Sequence, residues 1–137
     1  MQVGNINLPK SKAVVDASFV VSFLLPDESL ETVTEVFYKN TEGNLTLIST
    51  TLLPYEVLNS LKFAFLRRRI SKLLADKLAR DFFKLLVDLE AVNFTEVFKL
   101  SLEKNITIYD ASYLYLSLEN KAPLLTLDRK LKRISRK

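Results

Sequence analysis

The chain contains no histidine and no cysteine. Without histidine there is no imidazole acid–base group, no Ser-His-Asp or Cys-His triad and no histidine-based zinc site. Without cysteine there is neither a disulfide framework nor a thiolate metal site. Glycine occurs only at positions 4 and 43, which leaves no Gly-rich phosphate loop. No apolar run is long enough to span a membrane. Met1 to Ser11 carries Asn, Pro and Lys in place of the apolar centre of a secretory signal, so a cytoplasmic protein is expected. The remaining chemistry is that of carboxylates, hydroxyls, amines, or a metal held by oxygen.

What is present is enough for one folded unit. At 137 residues with 48% hydrophobic content, a single domain over 1–137 is expected, with 1–11 as an irregular lead-in. Twenty Lys and Arg stand against sixteen Asp and Glu, for a net charge of +4. This mildly basic balance suits a polyanionic partner without establishing one.

Read in order, short apolar runs alternate with helical patterns. Ala13 to Asp16 reads as a strand and Ser18 to Leu25 as a helix broken by Pro26. Asp27 is placed to cap a second helix with Leu30, Val33 and Phe37 on one face, ending near Asn40 with Gly43 in the following turn. Leu45 to Ser49 reads as a second strand. Thr50 and Thr51 then open a helix with Pro54 in its first turn and Val57, Leu58, Leu61, Ala64 and Phe65 as its buried stripe. Ser71 caps a helix expected to run to about Leu89, with Leu74, Leu78, Leu85 and Leu86 inward, and Glu90 to Val92 is expected as a short strand. Asn93 to Glu96 has capping-box spacing for a helix that Asn105 closes. Thr107 opens the next, with Ala111, Leu114, Tyr115 and Leu118 inward. Pro123 to Thr126 reads as the last strand and Arg129 to Arg136 as a basic final helix. The alternation predicts an α/β fold with a central, mainly parallel sheet flanked by helices.

Four acids fall at related places in this outline. Asp16 and Asp128 follow strands, while Glu56 and Asp110 lie in the first turns of helices. In a parallel sheet, strand C-termini and the N-termini of the following helices share one edge, where ligands bind. Four carboxylates gathered there repel one another and raise one another's pKa values unless cations neutralise them. All-oxygen ligands select Mg²⁺ or Mn²⁺, and such ions lower the pKa of bound water in phosphodiester hydrolysis. Each acid also has a purely structural reading. Asp16 and Asp128 suit helix N-caps, Asp110 follows Thr107 at capping-box spacing, and Glu56 suits the positive end of a helix dipole.

At these residues the chain resembles the PIN-domain family, most closely its small VapC-type toxin ribonucleases. Val14-Val15-Asp16-Ala17-Ser18 resembles the family's opening motif, and Pro54 to Asn59 its helix-borne Glu followed by Asn. Ile108 to Leu114 is similar to its Tyr-Asp-Ala segment, and Leu124 to Leu131 to its closing Thr-x-Asp-x-x-Leu. The motifs span about residues 13–133. The resemblance implies a PIN-like fold and a Mg²⁺- or Mn²⁺-dependent endoribonuclease, the toxin of a toxin–antitoxin pair. It places metal binding and catalysis on Asp16, Glu56, Asp110 and Asp128, with Ser18, Asn59 and Thr126 as supporting groups. It also implies a homodimer and a small cognate antitoxin. Lys121 departs from the pattern, standing where the family often has glycine before the last strand.

Arg129 and Lys130, beside Asp128, are the cations best placed to meet an RNA backbone. Tyr109 and Tyr113 suit either base stacking or core packing. The aromatic surplus around Leu24, Leu30, Phe37, Phe63 and Phe65 suits a dimer face or an antitoxin groove. Two alternatives stay open at this point: an RNA-processing or decay nuclease without a toxin role, and a catalytically silent PIN-like module that binds RNA or protein.

Overall fold

The computed structural model describes residues 11–136. Four strands, all parallel, form one sheet in the order β3-β2-β1-β4. They are β1 (Ser11–Val15), β2 (Leu45–Thr50), β3 (Val87–Glu90) and β4 (Leu124–Leu125). Seven helices flank the sheet: α1 (Ala17–Leu24), α2 (Glu31–Thr41), α3 (Leu53–Leu66), α4 (Lys72–Phe82), α5 (Phe94–Lys104), α6 (Ile108–Asn120) and α7 (Arg129–Ser135). The lead-in expected over 1–11 falls outside the described residues except at Ser11, which already pairs with Leu45 as the start of β1.

The central strand β1 reads as a near-continuous apolar run because both its faces are covered. Val14 and Val15 have no exposed surface, and Leu47 and Ile48 of β2 are equally buried beside them. Each such side chain removed from water contributes about 1.5–3 kcal/mol. Helix α6 packs over β1 and β2, while α1 packs on α3 and α5 on α6. Phe23 stacks on Phe37 with ring centroids 4.2 Å apart, which closes α1 onto α2.

The strand order fixes where a site forms. The chain steps from β1 to β2 to β3 in one direction, and β4 lies on the other side of β1. The reversal point is therefore between β1 and β4. In parallel α/β sheets the crevice for ligands opens there, beyond the strand C-termini. Leu125 O accepts from Asp16 N at 3.3 Å across this seam, so Asp16 stands at the reversal point itself.

Several elements differ from the sequence expectation. Helix α2 starts at Glu31 behind Leu30, which offers no side-chain cap. Asp27 does not cap this helix; it pairs with Arg69 at 2.9 Å. Thr50 ends β2 rather than opening α3, and its hydroxyl accepts from Leu52 N at 3.2 Å. Helix α4 stops at Phe82, and β3 takes Val87–Glu90 in place of Glu90–Val92. The apolar residues Leu85 to Leu89 suit a helix face as well as a strand, and pairing of Leu47 with Val87 and of Ser49 with Leu89 decides for the strand. Leu58, Phe65 and Leu118, expected inside, are exposed at the rims of their helix faces. Leu24 and Phe37 are core residues, so of the expected apolar contact surface only Leu30, Phe63 and Phe65 face outward.

Candidate active site

Asp16 follows the last residue of β1 and serves as the N-cap of α1. Asp16 is only 5% exposed, and three donors engage its carboxylate. Oδ1 accepts from Ser18 Oγ at 2.7 Å and from Phe19 N at 3.0 Å, and Oδ2 accepts from the Thr126 hydroxyl. Ser18 and Thr126 support one another across the seam. Their hydroxyl oxygens lie 3.3 Å apart, Leu127 N donates to Ser18 Oγ at 2.9 Å, and Asp128 N donates to Thr126 Oγ1 at 3.0 Å. The two hydroxyls therefore tie β1 and the residue after β4 to a single buried carboxylate.

The other three acids arrive from separate elements. Glu56 sits half-buried in the first turn of α3, where its Oε1 accepts from Tyr113 Oη at 2.6 Å. Asp110 sits half-buried in the first turn of α6, with its backbone N–H capped by Thr107 Oγ1 at 3.0 Å. Asp128 is exposed and caps α7, its Oδ1 accepting from Leu131 N at 2.9 Å. Asp16 and Asp128 thus have the capping geometry of their structural reading, and Asp110 belongs to a capped first turn.

The charges of these four side chains act on one another. Burial raises the pKa of Asp16 above its ordinary value, against the lowering effect of its three hydrogen bonds, and the charge of Asp128 adds to the rise. Burial likewise raises Glu56, with Asp110 and Asp16 adding to it against the Tyr113 hydrogen bond. Asp110 is raised by burial first, then by Asp128 and Asp16, while Lys130 pulls it back. Tyr113 is held strongly protonated by burial and by its bond to Glu56. Among the described residues, no Lys or Arg forms an ion pair with any of the four acids. Lys130 is the one cation whose charge acts on these acids in the shifts above.

The donor set is all oxygen and anionic, which fits a hard divalent cation. The side chains share one field without closing onto one point. Among the described residues, no three carboxylates converge into a formed coordination set. Glu56 and Asp128 each have one oxygen engaged by a protein donor, and Asp16 has both.

The remaining expected groups divide. Ser18 and Thr126 hold Asp16 as described. Asn59 lies exposed one turn beyond Glu56, lines the same recess and forms no hydrogen bond to the four acids among the described residues. Lys130 donates to Asn105 O at 3.0 Å and stands near Asp110, while Arg129 is exposed at the start of α7. Tyr113 proves to be the missed member. Its Asp110-x-x-Tyr113 spacing puts it one helical turn from an acid, and its ring is buried while its hydroxyl meets Glu56.

Residues 13–137 match the PIN domain family. Ribonuclease VapC3 of Pyrobaculum aerophilum is 32% identical over 124 residues, covering 88% of this chain and 92% of that protein. The crystal structure of PAE2754 from Pyrobaculum aerophilum superposes with a TM-score of 0.69 at 24% identity, over 88% of this chain and 77% of that one. Mycobacterium tuberculosis VapC20, described as a sarcin-ricin loop cleaving toxin, superposes with a TM-score of 0.66 at 13% identity, over 89% and 94%. These two structures share the fold. The family match runs from β1 to the end of the chain and takes in all four acids, and so the chain belongs to the PIN-domain family.

Proposed function

We propose that this chain is an endoribonuclease dependent on Mg²⁺ or Mn²⁺ and acts as the toxin of a toxin–antitoxin pair. The observation that carries the reading is the shared field of Asp16, Glu56, Asp110 and Asp128 at the reversal point of the sheet, with no cation ion-paired to them among the described residues. A divalent cation held there supplies a water of lowered pKa and stabilises charge on the phosphoryl oxygens. The chain's own residues do the rest. Asp16, Glu56, Asp110 and Asp128 supply the oxygen ligands. Ser18 and Thr126 fix the rotamer of Asp16, and Tyr113 fixes that of Glu56. Arg129 and Lys130 meet phosphates of the RNA, with Asn105 O orienting the Lys130 ammonium. A homodimer, a small cognate antitoxin and a cytoplasmic location belong to the same reading. It is supported by the name Ribonuclease VapC3 on the 32% identical relative, and no described helix is long and apolar enough to cross a membrane.

Asp16→Asn tests it. The amide keeps an oxygen for the cap but removes the charge. Cleavage of single-stranded RNA is expected to be lost, and growth arrest on expression with it, while circular dichroism shows the fold intact. Full activity in Asp16→Asn refutes the mechanism.

A further inference from the structure

Two recesses lie side by side on the flank of the acidic edge. The first is open, about 430 Å³, and is lined by Leu52, Tyr55, Glu56, Asn59 and Tyr109. The second is smaller, about 120 Å³, and its walls include Val92, Phe94, Ile108 and Tyr109. Leu52 and Tyr109 line both, so the smaller recess continues the one that contains Glu56. The aromatic rings along this path are unusually bare: Tyr55 is 77% exposed, Tyr109 56% and Phe94 78%. None of the three rings stacks on another aromatic ring of the chain among the described residues. The exposed Thr51 also lines the smaller recess.

We propose that this path is a nucleobase subsite, in which an unpaired base next to the cleaved phosphate stacks on Tyr109 and enters the recess beside Phe94. The inference rests on the nuclease reading for the class of substrate. A volume of about 120 Å³ receives one flat group and is too small for the face of a partner helix. Its position selects the group. The neighbouring space holds Glu56, and Lys130 lies near Asp110 to hold a phosphate. A strand whose phosphate lies at the acids therefore carries its next base onto Tyr109. Bare aromatic faces stack any base. A duplex keeps its bases stacked inside and offers nothing to this recess, so the subsite selects single strands or loops.

The experiment compares the full chain with its Phe94→Ala variant in steady-state cleavage of a short, mixed-sequence single-stranded RNA. The same RNA is also made with one abasic nucleotide at each position in turn. Loss of one stacked base costs about 5- to 100-fold in binding. Phe94→Ala is expected to raise KM by a factor in that range, with kcat carrying little of the loss. The wild-type chain is expected to lose a similar factor on RNA that is abasic at one fixed distance from the cut. The two losses are expected not to multiply. Tyr109→Phe, which keeps the ring, is expected to retain the wild-type KM. Equal KM for Phe94→Ala and wild type overturns the subsite, as does equal cleavage of every abasic RNA. Should Phe94→Ala instead convert a dimer to a monomer in sedimentation, with KM unchanged, the face is a contact between copies and the subsite is refuted. Because the abasic series uses the unaltered protein, misfolding of the variant does not affect it. If the wild-type chain cleaves no RNA, the nuclease reading fails by itself. Anisotropy with intact and abasic RNA then decides the subsite, and equal affinities overturn it.

Discussion

Replacing Thr126 by valine removes one hydroxyl and little volume from a buried position. That hydroxyl donates to Asp16 and accepts from Asp128 N. Asp128 is exposed, so water replaces the acceptor its N–H loses. Asp16 is 5% exposed, so no water replaces the donor it loses. A hydrogen bond to a charged group contributes about 1.5–3 kcal/mol. With a urea slope of about 1.5–2 kcal/mol per M, the unfolding midpoint is expected to fall by about 1–2 M at pH 7. The sign of the pH dependence follows from the same bond. The folded pKa of Asp16 already lies above its ordinary 3.8, and Thr126 holds it down. Valine raises it further. The ionised form is therefore penalised more in the variant, and the penalty grows as pH rises through the folded pKa. Below the ordinary value Asp16 is protonated in both proteins, and the difference shrinks to that of a neutral hydrogen bond, about 0.5–1.5 kcal/mol. Urea titrations of both proteins at pH 7 and at a pH below 3.8 measure this directly. In an Asp16→Asn background the substitution is expected to cost only the neutral value at either pH. A loss equal at both pH values, or below about 0.5 kcal/mol at pH 7, refutes the account of Asp16 as a buried anion held by this hydroxyl.

Mg²⁺ or Mn²⁺ is expected to raise the melting temperature at pH 7 and to lose this effect as pH falls. Asp16, Glu56 and Asp110 all have raised folded pKa values, so the metal-free fold loses stability as pH rises through them and a cation offsets that loss. Calorimetry with and without chelator checks this, and a shift that survives in Asp16→Asn counts against it. Tyr113→Phe removes the bond that lowers the Glu56 pKa, so the acid limb of the pH–rate profile is expected to move to higher pH, with about 1–2 kcal/mol of stability lost. Lys121→Gly is expected to stabilise the fold by about 0.5–1 kcal/mol in thermal unfolding. Lys121 holds φ at 50° in the left-handed C-cap of α6, and the strain relieved exceeds the added backbone entropy.

The parts legible in the sequence are those set by local rules. Asp16, Asn93, Thr107 and Asp128 announce helix starts because a short acceptor side chain must meet a free N–H two or three residues on. Lys121 could be flagged by its place alone, since the resemblance expects glycine where the chain turns left-handed, and it does turn so there. What the sequence left hidden is set by distant partners. Whether Leu85 to Leu89 continues a helix or enters the sheet depends on β2, some forty residues earlier. The bond between Tyr113 and Glu56 joins residues 57 apart and depends on how α6 lies beside α3.

On the nuclease reading, the two roles that sequence reasoning sets against each other at Asp16, helix cap and ligand, are compatible. A carboxylate has about four acceptor sites, two on each oxygen. Ser18 and Phe19 take both on Oδ1, and Thr126 takes one on Oδ2. One site on Oδ2 is left. Glu56 and Asp128 follow the same division, with Oε1 and Oδ1 bonded to the protein and the second oxygen of each bonded to nothing among the described residues. The bonded oxygen fixes the rotamer, so the unbonded one is presented at low entropic cost. On the nuclease reading, capping by Asp16 and Asp128 still leaves each an oxygen site for a cation. Glu56 is held through one oxygen by Tyr113 and Asp128 through one oxygen by Leu131 N, and on the nuclease reading the other oxygen of each reaches toward the cation.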